Sequence, residues 1–295
     1  MNIIKPEKIK NGDTICIIAP SGNVDKSKIL NSAKYFENLG YRVKFGKNVF
    51  NTDRYLAGKD EERIFDLEEA FNDKEVKAII CARGGYGTLR IIKKINYEII
   101  RKNPKIFCGY SDITALSLMI LKNTGLITYS SPMIKGDFQP DEIDSFTVTN
   151  FWQAIKNEQK EIHTDKLKIY KKGTAKGILW GGNLSTIASL CGLDFIPDEK
   201  FIFFTEDLNE PVYKIDRNFR QLLNIEKFRK NIAGIILGDF LDVEYPEQLE
   251  CFFKEISSEL NIPVYGGYKI THNKSKLTIP IGETVILDKG KVLFY

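Results

Sequence analysis

Apolar positions in the first 130 residues fall into two alternating patterns. Thr14 to Ala19, Val76 to Ala82 and Ile106 to Cys108 are short, mainly apolar runs that read as buried strands. Tyr41, Val43 and Phe45 alternate as a further strand. Between these runs, Ile29, Leu30, Ala33, Phe36 and Leu39 recur at helical spacing up to Gly40. Ile113, Leu116, Ile120 and Leu121 do the same up to Gly125, and another helix is expected near Thr88 to Lys94. Strands separated by helices predict an α/β fold with a parallel sheet covered on its faces. Sites in such sheets form at the carboxyl ends of the strands. Two turns lie there: Arg83-Gly84-Gly85-Tyr86-Gly87 and Gly109-Tyr110-Ser111-Asp112.

The pattern weakens between Gly136 and Lys172. This divides the chain into an N-terminal α/β domain over 1–135, a linker over 136–172 with a short helix near Phe151 to Ile155, and a second domain over 173–295. There, Gly181-Gly182-Asn183 precedes a helix reaching Cys191. The run Phe201 to Phe204 is a strand that delivers Thr205-Glu206-Asp207 at its end. Ile215, Phe219, Leu222 and Leu223 mark a helix, Ile232 to Leu237 a strand, and Leu249 to Leu260 an amphipathic helix. After a strand at Ile262 to Tyr265, the last thirty residues are β-rich. Leu277 to Ile281 is followed by Thr284 to Leu287 and Val292 to Tyr295, the last two joined at the turn signal Asp288-Lys289-Gly290.

With 295 residues, 43% hydrophobic and 28% charged, the chain can bury more than one core and has the composition of a soluble enzyme. The net charge of +4 is spread along it. The Lys-rich stretch Lys156 to Lys176 also carries Glu158, Glu161 and Asp165 and lacks interleaved aromatics, so it reads as a solvated connector rather than a nucleic-acid surface. Five cysteines, at 16, 81, 108, 191 and 251, are odd in number and show no CxxC spacing. They read as free thiols of a reducing compartment. No run approaches the ~18 apolar residues of a membrane span, and the charged N-terminus has no signal-peptide core. The expectation is a cytoplasmic protein with no membrane or nucleic-acid partner.

A serine on a tight strand-to-helix turn is pushed out of the sheet, beside amides that can receive an oxyanion. Ser111 is therefore a candidate nucleophile. Its base must come from two histidines: His163 lies in the polar connector, whereas His272 lies between two strands among Thr271, Asn273 and Lys274. A base needs an acceptor to fix its tautomer, and either Glu206 or Asp207 at the end of an apolar strand could serve. The glycine turn at 83–87 lacks both the P-loop ending and dinucleotide spacing, so it permits close approach of substrate rather than holding a nucleotide. No acid and histidine set has metal-ligand spacing, and no cofactor is expected.

Six motifs in one order carry a resemblance. They are Tyr55-Leu56-Ala57-Gly58 with Asp60-Glu61-Glu62-Arg63, the two turns at 83–87 and 109–112, Gly181-Gly182-Asn183-Leu184, Glu206-Asp207 through Glu210-Pro211 to Asp216-Arg217, and His272 followed by Leu277 to Gly282. Together they resemble the LD-carboxypeptidase family of serine peptidases, which includes muropeptide LD-carboxypeptidases and microcin C self-immunity peptidases. The resemblance implies Ser111 as nucleophile, His272 as general base and then acid, and Glu206 as the orienting carboxylate. It also implies an oxyanion hole from the Gly85 and Asp112 amides, and a Rossmann-like N-terminal domain with a smaller β-rich C-terminal domain in a homodimer. Where the family often has glycine after the histidine, this chain has Asn273. The implied substrate is a murein tetrapeptide cut before its terminal D-Ala. The alternatives are a peptidyl- or aminoacyl-nucleotide, with Trp180 as a stacking residue, and a non-catalytic ligand-binding protein. Arg83 and Asn183 are further candidates for contact with substrate.

Overall fold

Buried strands and one-sided helices build two sheets in the computed structural model, which describes residues 2–140 and 142–294. The first half runs β1 (Thr14–Ile18), α1 (Lys26–Asn38), β2 (Arg42–Phe45), α2 (Asp60–Asn72), β3 (Val76–Cys81), α3 (Tyr97–Lys102), β4 (Ile106–Cys108), α4 (Ile113–Thr124), β5 (Thr128–Ser130), α5 (Ile134–Asp137) and α6 (Ser145–Ile155). Then follow β6 (Glu161–Ile162), β7 (Lys168–Lys171), β8 (Thr174–Asn183), α7 (Leu184–Ala188), β9 (Phe201–Leu208), α8 (Val212–Leu223), α9 (Glu226–Asn231), β10 (Ile232–Leu241), α10 (Pro246–Leu260), β11 (Val264–Gly266), β12 (Ile279–Ile281), β13 (Thr284–Asp288) and β14 (Lys291–Phe294).

The first sheet has the order β12-β5-β4-β3-β1-β2, and the second β6-β14-β13-β8-β9-β10-β11-β7. β1 to β5 are parallel, and the mainly apolar, buried β1, β3 and β4 are those of a sheet with helices covering both faces. In the second sheet β8, β9, β10 and β11 are parallel, flanked by antiparallel β13, β14 and β6 on one side and β7 on the other. The hairpin turn expected at Asp288-Lys289-Gly290 is present, with left-handed Lys289 (φ 48°) and Gly290 (φ 78°). Its last expected residue, Tyr295, lies outside the described residues.

Three expectations change. The helix near Thr88 to Lys94 is only a 3-10 turn over Thr88–Arg90, and the helix proper is α3, started by Asn96, whose side chain accepts from the Glu98 N–H. The segment 136–172 is not a free linker. α6 packs Phe151 against Phe36 and Phe138 of the first unit, and β6 and β7 join the second sheet as its edge strands, β7 with Lys168 and Lys171. Most consequentially, the chain does not stay in the second unit to its end, because β12 returns to the first sheet and pairs antiparallel with β5.

α4 explains how the two sheets share a core. Ten of its twelve residues are buried, and a single cluster runs from Leu116 and Leu118 to Trp180, Phe201 and Phe203 in the second unit. The seam is close. A Cβ added to Gly182 would meet Thr114 Cγ2 at 2.5 Å, and the Asn183 N–H donates to Thr114 Oγ1 at 3.2 Å. Glycine at this point lets β8 run against the first turn of the helix that follows Ser111.

Candidate active site

Ser111 and Glu206 sit at or near the carboxyl ends of strands, and His272 sits on a loop between two strands. Ser111 follows β4, between β3 and β5 of the first sheet. It adopts φ 62°, a left-handed conformation that a residue with a Cβ occupies at a cost of about 1–3 kcal/mol. The turn is over-determined by its neighbours. The Asp112 carboxylate accepts from Ser21 Oγ at 2.6 Å and from the Thr88 N–H at 3.0 Å, and the Asp112 carbonyl accepts from Thr88 Oγ1 at 2.8 Å. Buried Arg63 donates to the Pro20 and Gly87 carbonyls, tying the loops after β1 and β3 together beneath this turn. Burial raises the Asp112 pKa, against the bonds from Ser21 and Thr88.

The glycine turn abuts the serine. A Cβ on Gly84 would meet Ser111 Cβ at 2.8 Å and Oγ at 3.0 Å. Among the described residues, the N–H groups of Gly85 and Asp112 donate no hydrogen bond within the chain, which leaves both open to an anion. Arg83 is half-buried and donates to the carbonyls of Gly84 and Asn23, with no carboxylate partner among the described residues.

Glu206 lies near the end of β9, one residue before Asp207, which is the last buried residue of the strand, and is 3% exposed. Its Oε2 lies 2.7 Å from His272 Nδ1. Asn183 Nδ2 bridges the two acids, at 3.3 Å from Glu206 Oε1 and 2.9 Å from Asp207 Oδ1. Asp207 is turned away from the histidine and accepts from the Ser185 and Leu208 N–H groups, each at 2.9 Å. Burial raises its pKa. Of the two acids the sequence offered, Glu206 faces the imidazole and Asp207 anchors α7.

His272 lies on the loop between β11 and β12 and is half-buried. The edge of its ring meets Tyr110 at 5.0 Å between centroids and 62° between planes. Tyr110 directly precedes Ser111, so the loop touches the serine turn there. Among the described residues Ser111 Oγ has no hydrogen-bond partner; such bonds are commonly long in a ligand-free enzyme and tighten on binding.

Two candidates for substrate contact are absorbed by the fold. Trp180 is 0% exposed, packed among Phe195, Phe201, Phe203 and Phe228, and has no face for a ligand. Asn183 is 6% exposed, and its carbonyl oxygen accepts from the Thr186 N–H, Thr186 Oγ1 and Ser185 Oγ while its amide holds the acids. His163 is exposed and pairs with Glu161. Two residues that sequence patterns did not single out join the site: Asp137 and Lys276, both bonded beside Tyr110. Among the described residues no group of three or more His, Cys, Asp and Glu could hold a metal ion.

Residues 15–131 match the LD-carboxypeptidase N-terminal domain and residues 176–287 the LD-carboxypeptidase C-terminal domain. The chain belongs to the LD-carboxypeptidase family. It is 39% identical to the probable murein peptide carboxypeptidase of Bacillus subtilis (strain 168), across 97% of this chain and 92% of that protein. The structure of the muramoyltetrapeptide carboxypeptidase from Oxalobacter formigenes superposes with a TM-score of 0.84 at 30% identity, covering 95% of this chain and 97% of that one. That of an MccF-like protein from Bacillus anthracis (strain Ames) gives 0.88 at 28% identity, covering 99% and 100%. Membership makes the chain a peptidase of carboxypeptidase type, and no helix among the described residues is long and apolar enough to cross a membrane.

Proposed function

We propose that this LD-carboxypeptidase family member removes the terminal D-Ala from a murein tetrapeptide, cutting the bond between an L-centred diamino acid and D-Ala in the cytoplasm. The observation that carries the reading is the 2.7 Å contact of Glu206 Oε2 with His272 Nδ1 beside the Ser111 turn. Glu206 holds the proton on Nδ1, which leaves Nε2 as the base. His272 takes the Ser111 proton as Oγ attacks the scissile carbonyl, and the open N–H groups of Gly85 and Asp112 receive the oxyanion. His272 then protonates the departing D-Ala amine. Water, deprotonated by the same imidazole, releases the shortened peptide from Ser111.

Arg83 has a role that fits a carboxypeptidase. Its guanidinium has no carboxylate partner among the described residues and lies beside Gly84 and Gly85, where the free carboxylate of D-Ala would complete it. The nucleotide reading has lost its stacking residue, because Trp180 is in the core. A homodimer remains the family's expectation for assembly.

The decisive experiment measures D-Ala release from a murein tetrapeptide by the parent and by Ser111→Ala. Release by the parent and loss of release in the variant is the expected result; unchanged turnover in Ser111→Ala overturns the mechanism. An aminoacyl sulfamoyl adenosine, assayed in parallel, should be a poor substrate.

A further inference from the structure

The loop that carries His272 is fastened to the first unit by a buried ion pair with no part in the chemistry described above. Lys276, four residues after the histidine, is 3% exposed. Its ammonium lies 2.6 Å from Asp137 Oδ1 and donates to the Tyr110 hydroxyl at 3.0 Å, and it sits 4.3 Å from the Tyr110 ring centroid. Asp137 belongs to the segment after β5, and its second oxygen accepts from the Met133 N–H at 2.9 Å. A buried ammonium is tolerated only where charge and hydrogen bonds surround it, and removing one partner leaves the other uncompensated. The lysine therefore has one acceptable position. That position fixes three segments at once: the histidine loop, the residue before Ser111 and the chain after β5.

The same loop is also held by Thr147, whose Oγ1 donates to the Lys274 carbonyl and accepts from the Lys276 N–H, and by Asp144, which accepts from Ser275 Oγ at 2.9 Å. These bonds fix the loop backbone to α6. Unlike these bonds, the Lys276 cluster reaches the serine turn, through Tyr110, whose ring walls one side of the imidazole. Burial, with Asp137 and Glu206 nearby, pushes the Tyr110 pKa far up, so the phenol stays neutral and can accept from the ammonium while its ring borders the histidine.

We propose that Lys276, Asp137 and Tyr110 form a positioning latch that sets the His272 imidazole in register with Ser111 across the seam between the two sheets. The inference rests on the reading of Ser111, His272 and Glu206 as the reacting groups. Lys276 and Asp137 act through Tyr110 and touch neither substrate nor the reacting atoms.

The test uses the full-length protein, a murein tetrapeptide and a fluorophosphonate probe for the active serine. Lys276→Met should lower both kcat and the labelling rate by about 10–100-fold, the range expected for sub-ångström misplacement of a base, with KM within about threefold of the parent. Lys276→Arg should recover part of the loss. The double variant Lys276→Met with Asp137→Leu removes both charges, so it should regain the thermal stability lost in the single variant while its kcat stays low. A folded double variant with parental kcat and labelling rate overturns the latch. If the double variant does not fold, Asp137→Asn decides: a roughly tenfold fall in kcat at constant KM supports the latch, and parental kcat overturns it. Ser111→Ala in the same series separates the two readings, since its labelling is lost if Ser111 is the nucleophile, whatever the lysine does.

Discussion

Gly84→Ala is the most direct probe of how tightly the candidate nucleophile is confined. Gly84 is not in a left-handed conformation, so alanine fits its backbone and only contact decides the outcome. The new methyl would lie 2.8 Å from Ser111 Cβ, about 0.6 Å inside the 3.4 Å at which ordinary contact begins. Neither side yields freely. Ser111 sits at φ 62° with its turn pinned by the Asp112 bonds, and the Gly84 carbonyl accepts from the Gly22 N–H at 3.2 Å. Whichever side moves, the serine and the Gly85 amide separate by about that amount. If a 1 Å misplacement costs about 10²-fold, a shift of ~0.6 Å costs about 15-fold in kcat. Overpacking adds about 1–3 kcal/mol of destabilisation, a Tm loss of a few degrees in a chain of this size. The assay is D-Ala release with the thermal midpoint measured on the same samples. A folded variant with kcat within twofold of the parent would refute the confinement argument.

Further predictions concern the carboxylates and the core. Glu206→Gln keeps shape but removes the charge that stabilises the imidazolium, so kcat should fall about 10³–10⁴-fold with the fold intact; retention of activity would remove Glu206 from the mechanism. Trp180→Ala should cost about 3–5 kcal/mol in a urea titration, as expected of a buried aromatic and not of a ligand platform. Asp207 has a folded pKa raised by burial, so the folded state holds its proton more tightly than the unfolded chain. Its contribution to stability is therefore largest below the unfolded value of about 3.9 and declines as pH rises through the folded value. Asp207→Asn should gain Tm relative to the parent as pH rises across that window, and a difference independent of pH would contradict this.

What the sequence disclosed follows from which interactions are local. The runs Thr14 to Ala19, Val76 to Ala82 and Phe201 to Phe204 became β1, β3 and β9 because strands buried on both faces leave a mainly apolar signature. α2 left a thin one: two of its buried positions are Arg63 and Asp66, which satisfy loop carbonyls and the Asn48 amide rather than a core. β6 and β7 hid among lysines because edge strands are charged. At the site, the strand-end positions of Ser111 and Glu206 and the loop position of His272 were legible, and the motifs favoured Glu206 over Asp207. Neither motif nor spacing shows that Asn183 spends its side chain bridging two acids, or that Trp180 faces inward, since both depend on pairing between β8 and β9.

The return of β12 to the first sheet links fold to chemistry most strongly. His272 lies on a loop whose two ends belong to different sheets: β11 in the second and β12, paired with β5, in the first. Ser111 is built by the first sheet and Glu206 by the second. The imidazole is therefore held from both sides of the seam it must bridge, by its bond to Glu206 on one side and its ring contact with Tyr110 on the other. Sliding one sheet against the other would break one contact or the other. The seam is accordingly packed without slack, with glycine at 182 against Thr114 and a buried α4 shared by both units. On the proposed mechanism, a substitution in the seam changes catalysis without touching any reacting group, because the packing of α4 against β8, together with the Lys276 latch, holds Ser111 and His272 relative to each other.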